Sequence, residues 1–403
     1  MLDNYQKTVQ ACFAGYIVQA IVNTFAPLLF LTFQDQFQIP LEQITLLITV
    51  NFMVQLLVDF VATFFVDRIG YRISIVAAHL FAAVGLMGLA IFPNFFNSPF
   101  IGLLTAVVLY AIGGGGLEVL VSPIVEACPT DHKEKTMSML HSFYCWGYLG
   151  VVLISSLFFF VFGIQNWSIL ALLWSILPLI NAFVFTRVPI ASLIEEGQAG
   201  LSVRALFKNK FFWLFLLMMV CSGASEQAVS QWASAFAEQG LGVSKVIGDL
   251  AGPCSFALMM GLSRLFYGKF GQKINLERFI TLSSVLAVCS YLLIGLTQAP
   301  IFGFIGCALS GMAVGILWPG VFSLASRMIR NGGTAMFAYL ALAGDLGCSL
   351  GPTVVGFVSK TADNQLKFGI LGATIFPVLM ILFSFLIQKV TPNHVNRLVD
   401  NSH

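Results

Sequence analysis

Residues 113–150 read GGGGLEVLVSPIVEACPTDHKEKTMSMLHSFYCWGYLG. An apolar run carrying the carboxylate Glu118 gives way to a short charged loop. A second apolar run then opens with Leu140, His141 and Ser142. An ionisable group at membrane depth is costly, so it marks a functional site by default. The glycines Gly113 to Gly116 allow neighbouring helices to approach closely.

The chain as a whole supports the membrane setting. Of its 403 residues 58% are hydrophobic and 9% charged, with a mean hydropathy of +0.90. A soluble domain carries about 25% charged residues, which cover its surface. Charge this sparse implies an integral membrane protein. The net charge of +2 comes from scattered Lys and Arg, which argues against a nucleic-acid partner. The first apolar segment is too long for a signal peptide and is expected to stay as a helix. The eight cysteines show no CxxC spacing, so neither a disulfide framework nor a metal site is indicated. The five histidines lack ligand spacing and any Ser/His/Asp setting, which argues against a membrane hydrolase. No enzyme activity, metal or cofactor is expected.

A helix needs about 20 apolar residues to span a bilayer. Breaks at charges, prolines and glycine clusters give twelve segments: 8–33, 42–66, 73–92, 100–127, 137–163, 167–186, 210–237, 246–267, 277–297, 301–326, 335–359 and 367–388. The runs are too long and continuous for a membrane barrel. With the N-terminus inside, 17 of the 20 Lys and Arg fall on the inner side, Arg264 among them; Lys245, Lys360 and Lys367 fall outside. That bias predicts cytoplasmic termini. A multi-pass protein of the plasma membrane is expected, and a monomer.

The longest inner connection follows six segments and precedes six more. It divides the chain into a bundle at 1–189, a linker at 190–209 and a second bundle at 210–403, with a short amphipathic helix expected from Arg204 to Lys210. The halves repeat. VDRIGYR (66–72) matches GKFGQK (268–273) in position, and the glycines of segment 4 match Gly311 and Gly315 of segment 10. Gly147 and Gly150 of segment 5 match Gly344 and Gly347 of segment 11. Such a repeat of six helices is the plan of two-bundle secondary transporters.

Asp67, Arg68, Gly70 and Arg72 form a short loop between segments 2 and 3, read as a gating loop. Four acids lie deeper: Asp59, Glu118, Glu226 and Asp345. Asp59 sits about 12 Å into its helix, at 1.5 Å per residue, and is read as a support for that loop. Glu118 and Glu226 are read as functional. Asp345 is equally a structural acid or a functional one. No Lys or Arg falls in the central part of any segment, so an anionic substrate, which needs a cation in a low-dielectric cavity, is not expected. A neutral polar solute suits Gln19, Asn23, Asn51, Gln55, Gln227, Gln231, Trp232 and Trp318 better. Desolvation disfavours a carboxylate's charged form, so an unpaired acid can take up and release a proton and couple solute movement to the gradient. His141 either relays protons from Glu118 or is a hydrogen-bonded structural residue.

The Asp67 to Arg72 motif resembles the signature loop of the major facilitator superfamily, with Thr63 where a glycine is usual. Leu117-Glu118, Ile124-Val125-Glu126, Pro129 and Leu140-His141-Ser142-Phe143 with Gly147 resemble helices 4 and 5 of its fucose permease-like sugar:proton symporters. Gly223-Ala224-Ser225-Glu226 with Trp232 resembles that branch's helix 7. The resemblance implies a twelve-helix, all-α membrane fold of two six-helix bundles, alternating access, and proton-coupled movement of a neutral sugar with Glu118 as the coupling acid. Helix 1 carries none of the branch's acid. The alternative reading is a proton-driven exporter of lipophilic or cationic compounds.

Overall fold

The computed structural model describes residues 2–129, 133–190, 203–270, 274–297, 299–329 and 333–400. Among the described residues all regular structure is helical. Twelve stretches of the described residues are long and apolar enough to cross a membrane: spans 1 to 12 are Tyr5–Phe37, Leu41–Ala62, Tyr71–Phe95, Pro99–Ala127, Met139–Phe162, Ile164–Arg187, Lys210–Gly240, Lys245–Tyr267, Leu276–Leu296, Pro300–Met328, Met336–Thr361 and Leu366–Lys389. Each falls on one of the twelve expected segments. Large apolar side chains such as Leu157 and Phe160 lie 63% and 72% exposed on the outside of this fold, as lipid contact requires. The linker's centre, 191–202, lies outside the described residues. Its end forms the helix Val203–Lys208, which buries Leu206.

Several spans are broken, and proline explains two of the breaks. Span 1 is a helix Leu2–Thr24, a 3₁₀ turn Ala26–Leu29 and a helix Phe30–Phe37. Pro27 has no N–H to offer the Asn23 carbonyl four residues back. That freed carbonyl accepts instead from Gln231 Nε2 of span 7 at 3.0 Å. Span 7 is itself broken beside Gln231, after the helix Lys210–Ser230. Span 10 breaks between Pro300–Val314 and Leu317–Met328, where Pro319 frees the Gly315 carbonyl in the same way.

Glycines set how closely the spans meet. A Cβ at Gly113 would stand 2.5 Å from the Ala82 nitrogen of span 3, and one at Gly115 2.9 Å from the Gln55 carbonyl of span 2. The four-glycine run thus brings span 4 into backbone contact with two neighbours. In the second half, a Cβ at Gly347 of span 11 would fall on the Val220 carbonyl of span 7. In the first half Gly147 approaches span 1, with a Cβ there 3.1 Å from the Ile17 Cα, whereas a Cβ at Gly150, the sequence match of Gly347, would meet nothing within 4 Å. The sequence repeat therefore recurs as a pairing of spans, 5 with 1 and 11 with 7, but not glycine by glycine. Gly347→Ala is expected to destabilise the fold by about 1–3 kcal/mol, because backbone must move to admit the methyl group. A lowered unfolding temperature in detergent checks it; an unchanged one would show that spans 7 and 11 part freely there.

The two halves meet along a seam on the face opposite the termini. Thr49 and Thr353 hydroxyls lie 2.5 Å apart, and the Tyr148 and Ser230 hydroxyls 2.9 Å. Ser156 donates to Asp249 at 3.4 Å, and Lys360 pairs with Glu42 at the outermost edge. Asp249, a buried acid that the sequence reading did not single out, is held by Lys245 at 3.1 Å and by Ser234 at 2.5 Å.

Candidate functional site

Below this seam, toward the terminal face, a cavity of about 720 Å³ separates the halves. The first half contributes Tyr16, Gln19, Asn23, Phe52, Gln55, Glu118, His141, Ser142 and Tyr144 to its wall. The second contributes Glu226, Gln227, Arg264, Tyr267, Trp318, Phe322, Asp345 and Cys348. The lining therefore mixes amides, phenols, one indole and charges, and both halves supply each class except the indole.

Glu118 reaches this wall because the glycine run draws span 4 inward. Gln19 Nε2 donates to Glu118 Oε2 at 2.6 Å. One carboxylate oxygen from each of Asp59, Glu118 and Asp345 lies within 4.8 Å of the others, so spans 2, 4 and 11 converge there. Asp59 and Asp345 are buried at 7% and 6% exposure. This corrects the reading of Asp59 as a support for the loop at 67–72: its partners are two acids of the site, one from the other half. Three carboxylates so close require positive charge between them, as protons or as a cation.

A larger correction concerns Arg264. Position in the chain placed it with the inner-face charges, and no cation was expected in the cavity. Instead its side chain runs back along span 8. Nη2 meets Glu226 Oε2 at 3.3 Å, Nε donates to the freed Gly315 carbonyl at 3.3 Å, and Nη1 donates to Cys145 Sγ at 3.2 Å. Glu226 is therefore paired. Cys145 belongs to span 5, so this arginine also bridges the halves. The premise that excluded a cation, and with it the unpaired state of Glu226, does not hold.

The other expected residues divide by depth. Gln19, Asn23, Gln55, Gln227 and Trp318 line the cavity, as do Glu118, Glu226, Asp345 and His141. His141 lies against the Tyr16 ring at 5.4 Å between centroids. Asn51 and Gln231 do not line the cavity, and Gln231 joins the seam through its bond to the Asn23 carbonyl. Gln55 Nε2 donates to Asn51 at 3.0 Å and to Asn23 Oδ1 at 2.9 Å, and Gln231 donates to Gln227 Oε1 at 3.0 Å. Trp232 is wholly buried, with Nε1 donating to the Pro352 carbonyl at 3.0 Å and Phe30 beside its ring. It packs the closed side and does not reach the cavity, so its expected contact with solute is absent in this conformation.

Of the loop at 67–72, Gly70 forms a one-residue turn at φ +92°, a conformation glycine adopts readily. Arg72 Nη1 donates to the Phe185 carbonyl at 2.7 Å, satisfying an end carbonyl of span 6. The side chains of Asp67 and Arg68 lie outside the described residues. Sequence reasoning missed Arg264, Tyr16, Tyr144 and Tyr267. For Arg264 one signal was available: Pro319 lies four residues after Gly315, which frees a carbonyl for a donor.

The sequence profile of the Major Facilitator Superfamily matches residues 11–352. A multi-drug resistance efflux pump PmrA homolog of Lactococcus lactis is 32% identical over 130 residues, a match spanning 31% of each chain. Membrane protein MosC of Rhizobium meliloti is 23% identical over 296 residues, 72% of this chain and 68% of its own. Among solved structures, a D-xylose-proton symporter superposes with a TM-score of 0.80 at 14% identity, covering 94% of this chain and 96% of that one. A bacterial homolog of the human lysosomal transporter Spinster, inward-facing and occupied, gives 0.77 at 15% identity over 96% and 97%. The E. coli fucose:proton symporter gives 0.63 at 14% over 95% and 99%.

Proposed function

Because this chain belongs to the major facilitator superfamily, we propose that it is a proton-driven secondary transporter that carries a small neutral polar solute, a sugar, by alternating access. Glu118 carries the reading. It is a carboxylate with an amide partner, in a cavity formed between two halves whose opposite side is sealed. Trp318 offers a flat face to the C–H side of a sugar ring. Gln19, Gln55, Gln227 and Asn23 offer donors and acceptors for its hydroxyls. Arg264 does not demand an anion, because Glu226 balances its charge within the same half.

The division into bundles at 1–189 and 210–403, joined by a linker, belongs to the same proposal, as does a monomer in the plasma membrane. The Lys and Arg bias puts the termini in the cytoplasm. The seam then closes the outer side, and the cavity faces inward. Solved structures of sugar:proton symporters share the fold, and that likeness supports the sugar reading.

Counterflow in proteoliposomes tests it. Labelled xylose, fucose and related neutral sugars are offered against an internal load of the same sugar. Saturable exchange of one sugar at least tenfold above empty vesicles is expected. A second reading has a specific observation behind it, the similarity to an efflux pump over 130 residues. Exchange of no neutral sugar, with extrusion of cationic dyes, would establish that reading instead.

A further inference from the structure

Beside the cavity, which Glu118 and Asp345 line, Asp59 makes the coupling carboxylate one of a group of three. Asp59, Glu118 and Asp345 each turn an oxygen to a common point, all within 4.8 Å of one another. Oxygens that share one hard cation at about 2.3–2.6 Å each sit no more than about 5 Å apart, so the spacing fits a single ion. Two of the carboxylate oxygens, Asp59 Oδ1 and Asp345 Oδ2, have no hydrogen-bond donor.

A fourth oxygen adds a separate observation. Gln19 is 3% exposed and lines the cavity beside Glu118. Its Nε2 is spent on the Glu118 carboxylate, while its Oε1 is buried with no hydrogen-bond partner. A buried carbonyl oxygen without a donor is costly, and a cation would satisfy it. Neutral oxygen and carboxylate together make a hard donor set, without sulfur or imidazole.

We infer that Asp59, Glu118 and Asp345, with the Gln19 carbonyl, form a site for a sodium ion that bridges the two halves. A monovalent ion is chosen over a divalent one on the chemistry of a cycle: the ion has to leave when the halves separate, and three carboxylates, two of them buried, would hold a divalent ion too firmly. Spans 2 and 4 belong to the first half and span 11 to the second. The ion is therefore fully ligated only while these spans meet, so its binding favours the conformation described here. The inference rests on reading Glu118 as the coupling group, and it names a second ion for that group.

The test uses the purified full chain in detergent. Thermal unfolding is followed while sodium chloride replaces choline chloride at constant ionic strength, with calcium chloride as a separate arm. A saturable rise of about 3–5 °C is expected with sodium at saturation. Asp59→Asn should abolish the rise and Gln19→Leu should raise the half-saturating concentration at least tenfold. Glu42→Gln, a carboxylate at the far edge, should leave it unchanged. Three results would overturn the site: equal melting in sodium and choline, saturation by calcium but not sodium, or a wild-type response in Asp59→Asn. If that variant does not fold, the sodium, choline and calcium arms on the unaltered chain still decide. Sugar counterflow in choline medium reports on the transport reading separately, so either can fail alone.

Discussion

Glu118→Gln is expected to abolish uphill accumulation of solute while counterflow stays within about threefold of the unaltered protein. The size of the loss follows from the driving force. One elementary charge moved across 100 mV supplies about 2.3 kcal/mol, which sustains a concentration ratio of roughly 50-fold. The amide cannot take up a charge, so the variant should equilibrate at a ratio of about one. Exchange should survive because glutamine keeps the shape of the side chain and its hydrogen bond to Gln19. The measurement is steady-state accumulation under an imposed gradient, beside counterflow without one. Accumulation near the original ratio would remove Glu118 from coupling. Loss of both activities would make it a binding residue.

The second large effect is expected at Arg264. Removing its side chain leaves Glu226 without a cation and the Gly315 carbonyl without a donor, since Pro319 supplies none. Breaking a fully buried pair costs about 3–5 kcal/mol. The Arg264 side chain is 22% exposed at the cavity wall, so Arg264→Ala should cost less, about 2–3 kcal/mol, and should weaken solute binding at least tenfold. The informative variant is the double one. Adding Glu226→Gln removes the stranded charge and should return about half of the lost stability, whereas two independent residues would give additive losses. Lys at 264 should rescue poorly, because one ammonium cannot reproduce a fork that reaches a carboxylate, a carbonyl and a thiol at once. Additive losses in unfolding measurements, or full rescue by Lys, would mean that Arg264 is a packing residue only.

The fold was legible because hydropathy, charge bias and repeated glycines are local signals, and each is strong here. Glu118 was legible for the same reason, as an acid following four glycines. Asp59 and Arg264 were not. Both lie toward helix ends, where a charged side chain ordinarily turns to the membrane surface. Their partners decide otherwise, and those partners are distant in sequence. Asp345 comes from span 11 and meets Asp59 across the boundary between the halves. The Arg264 anchors lie on spans 5, 7 and 10. Trp232 and Gln231 erred in the opposite direction. Their residue types suit a sugar, but the break in span 7 turns them to the seam, where the freed Asn23 carbonyl and the Pro352 carbonyl take their N–H groups.

That seam has a consequence for how the protein can open. Among the described residues, threonine, serine, tyrosine and amide groups make most of its cross-half bonds, and the one ion pair between halves, Lys360 with Glu42, already stands in solvent at the edge. Water can replace each neutral partner one for one, with a net difference of about 0.5–1.5 kcal/mol per bond. Asp249 keeps its lysine and its serine within the second half when Ser156 withdraws. Hydration can therefore unzip the closed side group by group without stranding a charge in the membrane.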